Sequence, residues 1–209
     1  MEKVSGSDFM SQQRALCAAA VTASVANPAV TFVVYALLWN AFWFVQGASM
    51  TGLWVLAHEC GHRAFSPSTM VNDVVGWLLH SALLVPYHSW RISHGTHHKK
   101  TNHLTEDTVF IPETATGAQA KLREAFDESP IVSAAWMLIM LTVGWPGYLL
   151  WNAAGQPSKG ACSHFSPSSP IFRAHQRLDV IISDIGFALA LAAIAYCVYA
   201  FGFANVLCY

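Results

Sequence analysis

The stretch ALLWNAFWFVQGASMTGLWVLAHECGH occupies residues 36–62, and it decides the fold class of the chain. It overlaps a longer run, residues 15–57, that contains no Lys, Arg, Asp or Glu. One membrane-spanning helix needs about 20 apolar residues. The run is therefore long enough for two spans, with a turn near Asn27-Pro28 or near Trp39-Asn40. The alternative is one long helix over residues 29–57, preceded by a weaker, Ala-rich segment.

Two more apolar runs, residues 131–151 and 180–200, are each long enough to cross a membrane. Residues 71–85 are apolar but too short for an ordinary span, so they predict an in-plane or re-entrant helix that ends at Pro86. Residues 1–14 form a polar tail. The remainder, residues 15–209, is expected to be one all-α membrane domain, a polytopic bundle of helices.

The composition of the whole chain agrees with a membrane protein. Of the 209 residues, 54% are hydrophobic and 11% are charged, whereas soluble domains carry about 25% charged residues. The formal net charge of −1 gives no electrostatic basis for a nucleic-acid partner. The five cysteines form no CxxC pair and are predicted to be free, buried thiols.

Residues 58–130 contain six of the eleven Lys and Arg residues, more than any other part of the chain. The positive-inside bias therefore places this segment on the cytosolic side of the membrane. If residues 131–151 cross once, residues 152–179 are expected on the opposite side.

The cytosolic segment begins with His58-Glu59-Cys60-Gly61-His62. If the preceding helix continues through it, His58 and His62 lie on one face and can share a metal ion. The same letters match the His-Glu-x-x-His motif of zinc proteases, in which the glutamate is the general base. That alternative needs a third ligand, and Asp184 is the one candidate for it, although a helix-capping role is the commoner use of such a carboxylate.

A second cluster, His94-Gly95-Thr96-His97-His98, follows the short apolar segment. On a helix, His94 shares a face with His97 or His98, and the adjacent pair diverges by about 100°. Adjacent histidines can therefore address different metals. Because a protease with one zinc ion has no use for three more histidines, the two clusters predict a two-metal site with five ligands: His58, His62, His94, His97 and His98. The other histidines are expected to be packed or solvated, with His103 nearest to the site.

These segments resemble the acyl-lipid membrane fatty-acid desaturases. Residues 54–62 (WVLAHECGH) resemble the first histidine box of that family, and residues 84–98 (LVPYHSWRISHGTHH) resemble the second. Residues 108–112 (TVFIP), 151–157 (WNAAGQP) and 181–184 (IISD) are similar to the fungal Δ12, or oleate, type.

The resemblance implies a di-iron centre of two non-haem iron ions ligated by histidines, with O2 as co-substrate. It implies that two hydrogens are removed from an acyl chain of a membrane lipid, converting oleoyl to linoleoyl. Cytochrome b5 and its reductase would supply electrons, and the protein would lie in the endoplasmic reticulum membrane with its histidine boxes as a cytosolic cap.

The family also carries a third histidine box, and no such cluster follows residue 98. Because five histidines cannot fill the coordination shells of two irons, the sequence is expected to be a truncated desaturase that is inactive as written. Three alternatives stay open: hydroxylation or epoxidation of the same acyl chains, a non-catalytic desaturase-like protein, and an intramembrane zinc protease.

Overall fold

The computed structural model describes residues 28–111, 124, 129–156, 160 and 162–209. Within these residues the chain is helical and contains no β-strand, so the all-α prediction is confirmed for them. The chain divides into two compact units, one up to Ser49 and one from Met50 to Tyr209. All ten histidines belong to the second unit.

Helix α1, Pro28–Gly61, is a single helix of 34 residues. The turn predicted near Trp39-Asn40 is therefore wrong, and the single long helix is correct for the described residues. Asn40 does not break the helix because its side-chain amide donates to the carbonyl of Ala36, one turn earlier, at 2.7 Å. Residues 15–27, including any turn before Pro28, lie outside the described residues.

The other two predicted spans are present as helices. Residues Pro130–Trp151 consist of α4, Pro130–Ile139, then a π-helical segment, Met140–Gly144, and then α5, Trp145–Trp151. Pro146 lacks the N–H that would bond one turn back, and the irregular segment ends two residues before it. Residues Ala174–Phe201 begin with a 3₁₀ turn and continue as α6, Arg177–Phe201, and the short α7, Phe203–Leu207, follows.

Within the part of the chain that the structure describes, these segments and α1 make three helices that are long and apolar enough to cross a membrane. Their apolar side chains are exposed: Phe44 is 77% and Leu141 is 74% exposed. A lipid solvent accounts for such surfaces, because water would expel apolar area of this extent.

Two shorter helices follow α1. Helix α2, Thr69–Ala82, starts at Ser68, whose hydroxyl accepts a hydrogen bond from the backbone N–H of Val71 at 3.4 Å. Helix α3, Tyr87–Lys100, carries the second histidine cluster. The helix predicted over residues 71–85 thus lies two or three residues earlier, and its in-plane orientation stays a prediction. The two helices pack closely, since a Cβ on Gly76 would lie 2.3 Å from the Tyr87 ring.

Helix α6 fixes the position of α3. The hydroxyl of Ser183 accepts hydrogen bonds from the backbone N–H groups of His88 and Ser89, at 2.8 Å and 3.1 Å. These N–H groups belong to the first turn of α3, where no backbone partner exists within the helix. A hydroxyl on a long apolar helix therefore anchors the helix that carries His94, His97 and His98.

The loop after α5 packs against the histidine-bearing segment. Asn152 ends α5 in a left-handed conformation, and its side-chain amide donates to the carbonyl of Thr108 at 2.7 Å. Gln156 donates to the carbonyl of Asp107 at 3.1 Å, and His164 Nε2 lies 3.0 Å from the Ser93 hydroxyl. The prediction that residues 152–179 lie across the membrane from the histidines is therefore wrong for the part of this loop that the structure describes. The positive-inside bias compares the numbers of Lys and Arg in different loops. It does not detect hydrogen bonds that join two loops.

Candidate metal centre

The last turn of α1 and the residue after it supply the first pair of imidazoles. His58 and His62 lie one turn apart, and their Nε2 atoms are 3.2 Å from each other. The other ring nitrogen of His58, Nδ1, lies 3.0 Å from the Glu59 carboxylate. A proton on Nδ1 leaves Nε2 with its lone pair, so Glu59 favours the tautomer of His58 that a metal ligand needs.

Helix α3 supplies the second pair, again one turn apart. The Nε2 atoms of His94 and His98 are 3.1 Å apart, and His94 Nε2 also lies 2.9 Å from His58 Nε2 and 3.2 Å from His62 Nε2. Ligand atoms of all four histidines lie within 4.8 Å of one another. Tetrahedral ligands at about 2.0–2.1 Å from a metal stand about 3.3 Å apart. The spacing of this four-histidine cluster therefore suits a single metal ion.

Electrostatics favour the neutral form of two of the four rings, His62 and His94. Burial, followed by the charges of the neighbouring histidines, lowers the pKa of His94 to about 3. Burial and the nearby His58 and His98 also lower the pKa of His62. An imidazole must be unprotonated to bind a metal ion. Burial and the neighbouring rings thus favour the unprotonated forms of His62 and His94, whose lone pairs can bind a metal ion.

Two tryptophans hold the rings in place. Trp54 stacks on His58, with centroids 5.5 Å apart and planes at 25°. Trp90 stacks on His94, with centroids 4.4 Å apart and planes at 19°. Trp90 also contacts Gly61, where a Cβ would lie 2.8 Å from its ring. The indoles form an apolar wall beside the cluster.

His97 is the one predicted ligand that does not join the cluster. Its Nδ1 lies 2.8 Å from a carboxylate oxygen of Asp107, a residue with no exposed surface. The other Asp107 oxygen accepts hydrogen bonds from the backbone N–H groups of Val109 and Phe110, at 3.0 Å and 3.2 Å. The carboxylate thus orients the His97 ring through Nδ1, and this contact does not use Nε2. Sequence reasoning missed Asp107, because nothing in the local pattern distinguishes it from its exposed neighbour Glu106.

The remaining histidines have other surroundings. His80 is fully buried among the rings of Trp54, Tyr87 and Trp90, and burial lowers its pKa to about 4. His103, expected nearest to the site, accepts hydrogen bonds within its own loop, from the backbone N–H groups of Thr105 and Glu106. His164, expected on the far side, is buried against α3 instead.

Asp184, the carboxylate that a zinc protease would need, does not belong to the cluster within the described residues. The Glu59 carboxylate, the general base of that alternative, contacts His58. Within the described residues, the group that could hold a metal ion consists of four histidines and no carboxylate.

A chain of ion pairs supports the site from the side of α2. Arg63, directly after the first cluster, lies 2.8 Å from the Asp73 carboxylate. Arg91 on α3 lies 3.8 Å from Asp73 and 3.7 Å from Asp179 on α6. The half-buried arginines and aspartates therefore connect the elements that carry both histidine pairs.

An open cavity of about 330 Å³ lies beside the cluster, lined by Met50, Thr51, Trp54 and Leu83. Trp54 therefore both borders this mostly apolar space and stacks on His58.

Comparison with known proteins identifies the architecture. The family model for fatty acid desaturases matches residues 34–209. Delta(12) fatty acid desaturases of Mortierella isabellina and Mortierella alpina are each 48% identical over 184 residues, covering 81% of this chain and 45% of the relative. An oleate hydroxylase of Claviceps purpurea is 41% identical over 193 residues, covering 81% of this chain and 40% of the hydroxylase.

The chain thus spans just under half of the length of these curated relatives. No solved structure matches it. The family match covers both histidine pairs, Asp107 and the two later spans. The chain belongs to the fatty acid desaturase family.

Proposed function

We propose that this chain forms the iron-binding membrane part of a Δ12-type acyl-lipid desaturase, which uses O2 to convert oleoyl to linoleoyl chains. The observation that carries the proposal is the convergence of four imidazoles next to the end of an apolar helix. The names of the Mortierella relatives favour the Δ12 position.

His58, His62, His94 and His98 would hold one iron ion. His97, oriented by the buried Asp107, would present its Nε2 to a second iron ion. Non-haem iron with open positions supplies the activation of O2 that removal of hydrogen from an unactivated acyl chain requires. Glu59 and Asp107 fix the tautomers of His58 and His97, and Trp54 and Trp90 limit the access of water to the histidine rings.

The acyl substrate would lie in the cavity between Met50, Thr51, Trp54 and Leu83. An alkyl chain has no polar group to satisfy, so a mostly apolar wall suffices to bind it. Because Trp54 is shared between the cavity and His58, a chain in this space passes beside the cluster.

We place the histidine cap on the cytosolic face of the endoplasmic reticulum membrane, with cytochrome b5 and its reductase as electron donors. The excess of Lys and Arg in residues 58–130 supports the cytosolic side. Lys99, an exposed cation in the last turn of α3 next to His98, favours an acidic partner there.

Metal analysis tests the site. The chain is purified in detergent from cells supplied with both iron and zinc, and both metals are counted by mass spectrometry. Iron is expected in the wild-type protein and absent from His94→Ala, with His103→Ala as a control that retains it. Zinc with no iron contradicts the desaturase proposal and supports the protease.

The activity is tested in a chimera, because the chain spans 45% of the length of the Mortierella alpina relative. This chain replaces the matching segment of that relative, in a yeast that makes oleate but no linoleate, and the fatty acids are measured by gas chromatography. Linoleate is expected, and its loss in His97→Ala tests the second iron position. A chimera that is expressed but yields no product contradicts the proposal.

Hydroxylation is the second candidate, because the Claviceps purpurea relative carries that name at 41% identity. The same chromatogram separates the two reactions. A hydroxylated oleate in place of linoleate supports the hydroxylase.

A further inference from the structure

A row of aromatic side chains leads away from the four-histidine cluster. Trp90 stacks on His94 with ring centroids 4.4 Å apart, and Trp54 follows at 5.7 Å from Trp90. Trp145 lies 6.5 Å from Trp54, and Tyr148 lies 5.3 Å from Trp145. We call these four residues the aromatic row. Indole and phenol rings are readily oxidised, and electrons exchange quickly between rings that lie this close.

The row ends at a buried hydroxyl group. The Tyr148 hydroxyl lies 2.8 Å from Ser93 Oγ, and His164 Nε2 lies 3.0 Å from the same atom. Ser93 is 1% exposed and His164 is fully buried. The Ser93 hydroxyl donates to the Trp90 carbonyl at 3.0 Å. Rotation of that hydroxyl lets it donate to His164 while it accepts from Tyr148.

His164 is suited to receive a proton. Burial lowers the pKa of His164 to about 4, so the ring is neutral at neutral pH and has a free lone pair. The carbonyls of Leu149 and Tyr148 act in the opposite direction and favour the protonated ring. An oxidised phenol is a far stronger acid than an imidazolium, so proton transfer from it to His164 is downhill.

We propose that Tyr148 is a redox-active residue that donates an electron, through the aromatic row, to an oxidant formed at the four-histidine cluster. The oxidant is a one-electron acceptor produced when peroxide reacts with a metal ion held there. It gains one electron, and Tyr148 loses one electron as its phenolic O–H bond breaks. The phenolic proton moves to Ser93 while the Ser93 proton moves to His164. The products are the reduced oxidant, a neutral Tyr148 radical and protonated His164.

This electron transfer would protect the histidines of the cluster from oxidation. An oxidant that finds no acyl chain beside it would otherwise attack the nearest rings, those of His58 and His94. Transfer of the oxidising equivalent to Tyr148 places it on a side chain that holds no metal. The proposal depends on the proposed function only in requiring a metal ion at the cluster.

Copper with hydrogen peroxide is the probe. A site of four imidazoles binds Cu²⁺ more tightly than Fe²⁺, so the row is tested whether or not iron is the native metal. The full chain in detergent is loaded with copper, its copper content is measured, and peroxide is added before rapid freezing. Electron paramagnetic resonance is expected to show a tyrosyl radical in the wild-type protein.

Tyr148→Phe should abolish this radical, and Trp145→Phe should reduce it several-fold. The matched controls are Tyr196→Phe and Trp136→Phe, which alter exposed rings outside the row (68% and 58% exposed) and should leave the signal unchanged. A radical that persists in Tyr148→Phe, or bound copper without any radical, overturns the proposal. Failure of copper to bind would instead contradict the metal site of the proposed function. Because the copper content is measured separately from the radical, the two failures can be told apart.

Peptide mass spectrometry of the treated wild-type protein tests the proposal without depending on whether a variant folds. Oxidation is expected at Tyr148 and Trp145, with His58 and His94 spared. Oxidation of His58 and His94 should rise several-fold in Tyr148→Phe and stay low in Tyr196→Phe. Oxidised His94 beside an unmodified Tyr148 in the wild-type protein overturns the proposal.

Discussion

The histidine-bearing segment, residues 58–111, and the span Pro130–Trp151 are stabilised in different ways. In the first, Ser93 and Asp107 are buried, and each has a defined hydrogen-bond partner. In the second, none of the most apolar window is buried within the protein. The histidine segment depends on contacts between particular atoms. The exposed window of the span depends on its solvent, whereas Tyr148, near the C-terminal end of the same span, contacts Ser93. Substitutions should therefore have large effects in the first region and small ones in the exposed window of the second.

The largest effect is expected at His94, whose Nε2 lies within 3.2 Å of three other imidazole nitrogens. Removing His94 takes one ligand from the centre of the cluster. We expect His94→Ala to weaken metal binding about 100-fold or more, since loss of a group that merely supports a ligand already costs about 10–100-fold. Titration with Cu²⁺ or Fe²⁺ measures it. His103→Ala should match the wild-type protein, and equal affinity in both variants would contradict the cluster.

The metal-free protein should lose stability as the pH falls below about 6.5, the ordinary value for histidine. His80 and His164 have pKa values of about 4 in the folded protein. Between these values the unfolded chain binds protons that the folded chain does not, so unfolding becomes easier as pH falls. Two buried histidines together cost about 2–3 kcal/mol per pH unit. Thermal melting from neutral pH to about pH 5.5 measures the loss, and His164→Gln should reduce it. A pH-independent melting temperature would mean that these rings are solvated.

Asp107→Asn should act on His97 without unfolding the segment. The amide retains the size of the carboxylate but loses its charge and no longer fixes the His97 tautomer. We expect a loss of about 10–100-fold in the affinity of metal binding that depends on His97. Glu106→Gln is the matched control, because Glu106 is exposed and pairs with Lys100 at the surface. Equal effects of the two substitutions on metal affinity would contradict a role of Asp107 in the site.

Ser183→Ala and Leu141→Ala are expected to have the smaller effects on stability. They compare a buried hydrogen-bond contact with an exposed apolar side chain. The first leaves two buried backbone N–H groups of α3 without an acceptor, which should cost about 1–3 kcal/mol of stability. The second shortens a side chain that is 74% exposed on the lipid-facing span, and about 0.5 kcal/mol or less is expected. Thermal melting in one detergent compares them, and a larger loss in Leu141→Ala would reverse the comparison.

Sequence reasoning succeeded where a regular period carries the information. The apolar runs at residues 131–151 and 180–200 predicted two spans, and the spacing of four residues placed His58 with His62 and His94 with His98. The adjacent pair His97 and His98 was expected to diverge, and the two rings do contact different groups. The ligand roles of all five stay predictions.

The contacts that sequence reasoning missed join residues far apart in the chain. Ser183 caps a helix about 95 positions away, and His164 meets Ser93 across 71 positions. No local period encodes such pairs, because they arise only when helices pack. The misplaced loop after α5 has the same origin: its hydrogen bonds to Thr108 and Asp107 outweigh what a count of charges can indicate.

X-ray absorption at the iron edge of the purified chain tests the central claim most directly, because it reports the atoms around the metal ion. We expect a shell of nitrogen ligands with the outer-shell scattering of imidazole, and its loss in His94→Ala. A shell dominated by oxygen, unchanged in His94→Ala, would contradict a metal centre built from these four histidines.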